Sequence, residues 1–202
     1  MVKNNVFTRR TFIAGAAALL ATFNTRAASA LTGSEAESLV VQAVNDINRI
    51  IASGKSENAM LRDFERVFAS YADVPTVALS ALGPAGRSAS NGEKRAYIGA
   101  FQDYFTRKYG RRFREFVGGE ITVNGSRKTK SFYEVNSIAR LRGSSPFRVV
   151  WLVSDRSGKP QIFNIIIEGV NTLTSERVEI GAMLDRRGGD IGRLTADLKN
   201  AG

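Results

Sequence analysis

The segment QIFNIIIEGV, residues 161–170, decides the predicted fold class. Side chains alternate between the two faces of a β-strand, so Phe163, Ile165 and Ile167 are expected on one face. The other face then carries two further isoleucines and two polar residues: Ile162, Asn164, Ile166 and Glu168. Both faces need cover. Because polar residues interrupt the second face, we expect it to pack as ordinary core and the first face to line a cavity.

Period-two patterns and turn residues predict three further strands before this one. They are EITVNG (120–125), which ends in an Asn-Gly turn, SFYEVNSIARLR (131–142) and PFRVVWLVS (146–154), with DRSGKP (155–160) as the last hairpin turn. The sequence therefore predicts about four antiparallel strands.

Apolar residues recur at spacings of three and four on both sides of these strands, which predicts amphipathic helices. Helices are expected from Glu35 with Ser34 as N-cap, over 59–71, over 74–83 after Asp73, and over 93–109, with a loop over 83–94. Ser90 and Glu93 have the spacing of a capping box. After the strands come a helix over 171–184, a break at RRGGD (186–190) and a closing segment, IGRLTADLKN. Helices segregated from an antiparallel sheet define an α+β domain.

The composition restricts the chemistry. Hydrophobic residues make up 43% and charged residues 24% of the chain, as in a soluble globular protein. Cysteine and histidine are absent, which removes disulfides, thiolate nucleophiles and histidine-dependent triads. Asp155 and Glu168 are too far apart along two strands to act as an acid–base pair, and RRGGD is interpreted as a helix break rather than a phosphate loop. We expect a protein that is not an enzyme and holds no metal or cofactor.

Residues 1–30 are predicted to be a cleaved export signal. Arg9 and Arg10 precede an apolar run, 12–23, and Ala28-Ser29-Ala30 has the small residues of a cleavage site. The arginine pair resembles a twin-arginine signal, and a general secretory signal is the alternative. The run is shorter than the roughly 20 residues of a membrane span. A periplasmic chain that begins at residue 31 is therefore expected.

Cleavage would remove four basic residues and no acidic one, leaving 25 basic and 19 acidic residues and a net charge of +6. A basic chain favours acidic partners, whereas export argues against nucleic acid. The segment RKYGRRFREF (107–116) is interpreted as a helix end with a solvated basic face. Contact with an anionic headgroup or an acidic protein is the functional alternative.

Large apolar side chains recur in both halves of the chain. One face of the third strand carries Phe147, Val149, Trp151 and Val153, and the helices bring Phe64, Phe68, Tyr71, Tyr97, Phe101, Phe105 and Tyr109. These residues can fill a plain core or enclose a deep apolar cleft, and the residues alone leave both interpretations open.

Three segments carry a resemblance to a known family: FASYADVPTVALSALGPAGRSAS (68–90), RAYIGAFQDYFTRKYG (95–110) and QIFNIIIEGVNTLTSERVEIGAMLDRRGGDIGRLTADL (161–198). In order and spacing they resemble the MlaC family of periplasmic phospholipid-binding proteins, also known as toluene-tolerance proteins. The resemblance covers essentially all of 31–198. The chain departs from the family at PAGR (84–87), where an aromatic residue is frequent, and within 171–177.

The resemblance implies an α+β domain over residues 31–202, with an NTF2-like curved antiparallel sheet and helices that enclose an apolar cavity. It also implies a carrier of diacyl phospholipid, and we expect this carrier to be monomeric and loosely specific for the acyl chains. The implied partners are an outer-membrane lipoprotein complex and an inner-membrane ABC transporter with its lipid-binding subunit. Two alternatives stay open: a hopanoid-like cargo, and a periplasmic adaptor with a solid core.

The cavity is expected to lie between the sheet and the helices, so apolar residues on both are expected to contact the acyl chains. These are Phe68, Tyr71, Val74, Val77, Ala78, Leu82, Phe101, Phe105, Tyr109, Val149, Trp151, Phe163, Ile165, Ile167 and Val170. Contacts with the headgroup or with a partner are expected from Arg111, Arg112 and Arg114.

Overall fold

The computed structural model describes residues 30–111 and 119–202. The predicted export signal, apart from Ala30, lies outside the described residues, as do Arg112 and Arg114. The division into a signal and a domain over 31–202 stays a prediction.

Helices lie on both sides of a run of strands, as predicted. Those before the strands are α1 (Gly33–Ile51), α2 (Glu57–Tyr71), α3 (Val74–Leu82), α4 (Ala85–Ser88) and α5 (Asn91–Gly110). Those after the strands are α6 (Thr172–Asp185) and α7 (Ile191–Leu198). Helix α4 occupies part of the loop that was expected over 83–94.

Side-chain caps fix where the described helices begin, except at α2 and α4. Ser90 and Glu93 form the predicted capping box at α5. At α1 the prediction of Ser34 as N-cap is wrong, because Thr32 is the cap and shares a capping box with Glu35. Thr32 and Glu35 have the same three-residue spacing as the α5 pair, so the signal was present two residues earlier.

One antiparallel sheet follows the order of the chain. Its strands are β1 (Glu120–Thr129), β2 (Phe132–Arg140), β3 (Phe147–Ser154), β4 (Gln161–Ile167) and β5 (Val170–Asn171). The four predicted strands are confirmed, and β5 adds a fifth of two residues. Along the outer edge of β4, Ala72 forms a parallel bridge to Ile162, and the Asp73 N–H donates to the Ile162 carbonyl at 2.9 Å.

The predicted Asn-Gly turn at residues 124–125 is wrong, since β1 continues through it to Thr129. The register of β1 with β2 shifts between Val123 and Ser126, so Asn124 and Gly125 lie opposite a single residue. Gly125 has a φ of 109°. Glycine adopts this angle without strain, so the dipeptide forms a β-bulge instead of a turn.

The alternation predicted for 161–170 is also interrupted. The register of β3 with β4 shifts at Phe163, which is the extra residue of a second β-bulge. The bulge places Ile162 on the same face as Ile165, because each is paired with a residue on that face of β3. The predicted groups, Phe163 with Ile165 and Ile162 with Ile166, are therefore wrong.

Two apolar cores hold the fold together. In the sheet core, α1 packs on one face of the sheet and buries Leu31, Ala36, Val40, Ala43, Val44, Val135, Ala139, Val149, Trp151, Val153 and Ile162. In the helical core, α3, α5, α6 and α7 bury residues that include Val77, Leu82, Tyr97, Phe101, Tyr104, Phe105, Ile180, Leu184, Leu194 and Leu198. A large apolar side chain buried in this way contributes about 1.5–3 kcal/mol. Among the described helices, none is long and apolar enough to cross a membrane.

Candidate functional site

The sheet has one face that packs on α1 and one that points away from it. Residues paired across antiparallel strands share a face, and neighbours along a strand alternate. We call the second face the distal face; its large apolar residues are Phe132, Ile138, Val150, Leu152, Phe163 and Ile166. The bulged Phe163 is placed there by its ring, which meets Phe132 edge-on with centroids 5.5 Å apart.

Much of the distal face is open. Phe132, Ile138, Phe163 and Ile166 are only half-buried, whereas Val150 and Leu152 between them are buried. Among the described residues, neither the sheet core nor the helical core includes these six side chains. The face is therefore an apolar surface beside two well-packed cores.

Asn164 links the start of α6 to the distal face of β4 through hydrogen bonds. Its side chain lies on the distal face opposite Leu152, and its Oδ1 accepts hydrogen bonds from the N–H groups of Ile165 and Leu173, at 2.9 and 3.1 Å. Leu173 belongs to the first turn of α6, whose N-cap is Asn171. The start of α6 is thus held against the sheet beside the apolar surface.

A ladder of aromatic rings runs along α2 and α5. Phe68 stacks on Phe105 with centroids 4.7 Å apart, and Phe105 meets Tyr109 at 4.4 Å. Phe68 and Tyr109 are half-buried and pack against the helical core. These three rings belong to the predicted acyl-chain contacts, and the structure brings them together.

The remaining predicted contacts divide between different parts of the fold. Val77, Ala78, Leu82 and Phe101 belong to the helical core, and Val74 is buried at the start of α3. Val149 and Trp151 belong to the sheet core, and the half-buried side chains of Tyr71 and Ile165 pack against it. Phe163 lies on the distal face, while Ile167 and Val170 are exposed. The predicted set is therefore not one continuous lining, and Arg111 is exposed at the end of α5.

Asp155 and Glu168 do not pair with each other. Asp155 Oδ2 accepts the Leu31 N–H at 3.1 Å, and Glu168 Oε1 accepts the Arg148 N–H at 2.5 Å. Glu168 has a positive φ of 49°. Its side chain orders the backbone where β4 ends.

A buried polar cluster, which was not predicted, joins α5 to α6. Glu176 is completely buried, and its Oε1 accepts hydrogen bonds from Lys108 Nζ and from the Tyr109 hydroxyl, both at 2.7 Å. Lys108 also donates to Glu179 Oε2 at 2.5 Å and to the Tyr104 hydroxyl at 3.0 Å. We call these five residues the Glu176 cluster.

Burial and charge set the protonation of this cluster. Burial is the main cause that raises the pKa of Tyr104 and Tyr109 well above the ordinary value of about 10, and the nearby glutamates reinforce it. Burial alone would lower the pKa of Lys108, but its hydrogen bonds to Glu176 and Glu179 raise it overall. Near neutral pH the cluster therefore holds a charged lysine and neutral phenols.

The sequence did contain a sign of this cluster. Glu176, Ile180 and Leu184 follow one another at intervals of four and are the buried residues of α6. A carboxylate within an apolar helical stripe needs a partner when it is buried. The partner could not be predicted, because Lys108 lies 68 positions away in the chain.

Two buried polar atoms have no hydrogen-bond partner in the described part of the chain: Glu176 Oε2 and the Tyr97 hydroxyl. Replacing Tyr97 with phenylalanine is therefore expected to change stability by less than about 0.5 kcal/mol at pH 7, or to increase it. Tyr109→Phe removes a bond to a buried carboxylate and should cost about 1.5–3 kcal/mol. Urea denaturation of both variants measures the difference, and equal losses would contradict the assignment of partners.

Alkaline pH provides an independent check. Burial, followed by the charge of Glu176, raises the pKa of Tyr97. The contribution of the neutral Tyr97 to folding stability is therefore complete below about pH 10 and is lost as the pH rises further. Each buried tyrosine should then lower the free energy of unfolding by at most about 1.4 kcal/mol per pH unit. Tyr97→Phe should make this decline less steep, and an unchanged slope would show that Tyr97 ionises normally.

Two surface grooves run past Tyr71 on the α1 side of the molecule. One, of about 370 Å³, lies between α1 and α2 and is lined by Asp46, Arg49, Lys55, Asp63 and Arg66 among others. The second, of about 480 Å³, lies between α1 and the β3–β4 turn. Apart from Tyr71, neither contains a predicted acyl-chain contact, so neither is the predicted cleft.

The structure defines an α+β protein in which a curved, unclosed antiparallel sheet packs on one helix and leaves the other face partly open beside a helical core. The chain belongs to the MlaC family, since the model of the MlaC protein matches residues 41–200. The fold is similar to that of a phospholipid-binding protein from Ralstonia solanacearum, solved in complex with a phospholipid. The TM-score is 0.71 at 17% identity, over 82% of this chain and 95% of that chain. The expected family and fold class are confirmed.

Proposed function

We propose that this protein is a periplasmic lipid carrier that holds phospholipid acyl chains against the distal face. The observation that carries the proposal is the half-buried apolar surface of Phe132, Ile138, Phe163 and Ile166, in a chain of the MlaC family. The phospholipid bound to the structurally similar Ralstonia solanacearum protein supports it. The carrier takes no part in covalent chemistry.

The apolar surface suits a cargo with long hydrocarbon chains. Each methylene removed from water contributes roughly 0.8 kcal/mol, so two acyl chains of about fifteen carbons would cost on the order of 20 kcal/mol if they were exposed. A carrier has to hide the chains almost completely. It need bind them no more tightly than a bilayer does, so loading and release can both occur.

The proposed lining differs from the expected one on the sheet. Val149 and Trp151 are buried in the sheet core and Ile165 packs against it, so the acyl chains are assigned to the opposite side. On the helices, Phe68 and Tyr109 keep their expected role, because both are half-buried rings of the aromatic ladder. Loose selection among acyl chains follows, since the lining is almost entirely apolar.

In the same proposal the carrier acts as a monomer and moves lipid between two membranes. It exchanges lipid with an outer-membrane lipoprotein complex and with an inner-membrane ABC transporter through the lipid-binding subunit of that transporter. The twin-arginine-like segment at Arg9 and Arg10 supports export to the periplasm.

Lipid that co-purifies with the protein tests the proposal. We expect denaturing extraction of protein made in bacteria, followed by mass spectrometry, to find diacyl phospholipid at near one molecule per chain. Recovery of a hopanoid-like lipid instead would keep the carrier but change its cargo. Absence of any stoichiometric lipid, from protein whose circular dichroism shows it folded, would overturn the proposal in favour of an adaptor with a solid core.

A further inference from the structure

Two arginines with no ion-pair partner in the described chain lie at one end of the distal face. Arg148 is opposite Ile138 in the pairing of β2 with β3, and Arg140 is two residues beyond Ile138 on β2. All three side chains therefore lie on the same face. Two cationic groups thus border the apolar surface of the distal face.

Hydrogen bonds orient both guanidinium groups towards the apolar residues. Arg148 Nη2 donates to Asn136 Oδ1 at 2.6 Å, and Asn136 lies opposite Val150. Arg140 Nη1 donates to Thr122 Oγ1 at 3.4 Å, and Thr122 is paired with Ile138. Each guanidinium group thus extends along its strand towards the apolar residues. Each donates to a neutral acceptor, so most of its N–H donors stay available.

The nearby carboxylates are engaged elsewhere or out of reach. Glu134 forms an ion pair with Arg127 at 2.6 Å. Glu168 Oε1 accepts the backbone N–H of Arg148 rather than a bond from its guanidinium. Glu120 is paired with Arg140 in the register, yet in the described part of the chain no ion pair within 4.0 Å joins them. Two guanidinium groups at an exposed end of the distal face thus keep unsatisfied positive charge.

We propose that Arg140 and Arg148 bind the phosphate group of the cargo while its acyl chains lie on Ile138, Val150 and Ile166. Guanidinium groups bind phosphate oxygens through paired N–H donors in a fixed geometry. A phospholipid needs such donors at the border of an apolar surface, where the headgroup stays in water. The inference rests on the proposed function. It places the headgroup beside the turn that joins β2 to β3 rather than at the end of α5.

The double variant Arg140→Gln/Arg148→Gln tests the inference, with Arg156→Gln/Lys159→Gln as a control of equal charge at the opposite end of the sheet. Each protein, stripped of lipid, is loaded from detergent with phosphatidylglycerol or with diacylglycerol of the same acyl chains, and bound lipid is measured by native mass spectrometry. We expect the first variant to bind phosphatidylglycerol about tenfold or more weakly and diacylglycerol unchanged. The control should match the unaltered protein.

Other results have distinct meanings. Unchanged phosphatidylglycerol binding, or equal losses for both lipids, would overturn the phosphate site and leave the carrier intact. Altered sedimentation with anionic vesicles, combined with unchanged loading from detergent, would assign the arginines to a membrane surface and also overturn it. If the unaltered protein binds neither lipid, the proposed function itself fails.

Discussion

Replacing Ile166 with glutamate is expected to abolish lipid binding while the protein stays folded. Ile166 is a half-buried residue of the distal face that belongs to neither core among the described residues. A carboxylate at this position would lie against the acyl chains without a partner, and burial of an unpaired charge is strongly unfavourable. We therefore expect at least about a hundredfold loss in lipid affinity, equivalent to roughly 2.7 kcal/mol.

The two neighbouring isoleucines are matched controls of the same strand and side-chain type. Ile165 is also half-buried, but it packs against the sheet core on the α1 face, so Ile165→Glu should cost about 1–3 kcal/mol of stability. Ile167 is 38% exposed, so Ile167→Glu should change neither stability nor lipid content much. Lipid extraction and thermal unfolding of the three variants separate the cases. If Ile165→Glu folds and loses lipid while Ile166→Glu keeps it, the acyl chains lie on the α1 face.

The second large effect is expected from Lys108→Met in the Glu176 cluster. The substitution keeps the length of the side chain but leaves Glu176, which is completely buried, without its cation. Removing one partner of a buried ion pair costs about 3–5 kcal/mol. Because the Lys108 side chain is 28% exposed, we expect the lower end of this range. Urea denaturation at pH 7 measures the loss.

A compensating change distinguishes the loss of charge balance from a loss of packing. In Lys108→Met/Glu176→Gln the uncompensated charge is gone, and most of the lost stability should return. Arg107 lies on the same turn of α5 but donates to the Leu198 and Ala201 carbonyls at the end of α7. Its replacement would therefore leave the charge balance of the Glu176 cluster unchanged. If the double variant is as unstable as Lys108→Met alone, the lysine acts through its contacts and not through its charge.

The helices and the number of long strands could be predicted because they depend on local periodicity and caps. The α5 capping box and the helix break at 186–190 are short-range patterns of this kind. The bulge at Phe163 could not be predicted, because an extra residue in one strand depends on which residue of the partner it opposes. That single residue puts Ile162 on the same face as Ile165 and Phe163 on the distal face.

Part of the candidate site could also be predicted from local spacing. Phe105 and Tyr109 are four residues apart on α5, and the structure stacks Phe68 of α2 on Phe105. The α1 face and the distal face are both apolar, and only the packing of α1 distinguishes them. Arg140 and Arg148 lie on adjacent strands, and their common face followed only from the register.

A sheet that is apolar on both faces is also at risk of aggregation through its edges, and the fold limits this risk. At the β4 edge, Ala72 bridges Ile162, and β5 is only two residues long, so little flat strand is presented to another molecule. At the opposite edge, the bulge at 124–125 interrupts β1, and Arg127 and Lys128 follow it. Bulges, short strands and charges of this kind hinder edge-to-edge pairing. The bulge that replaces the predicted turn therefore also helps the chain to stay dispersed.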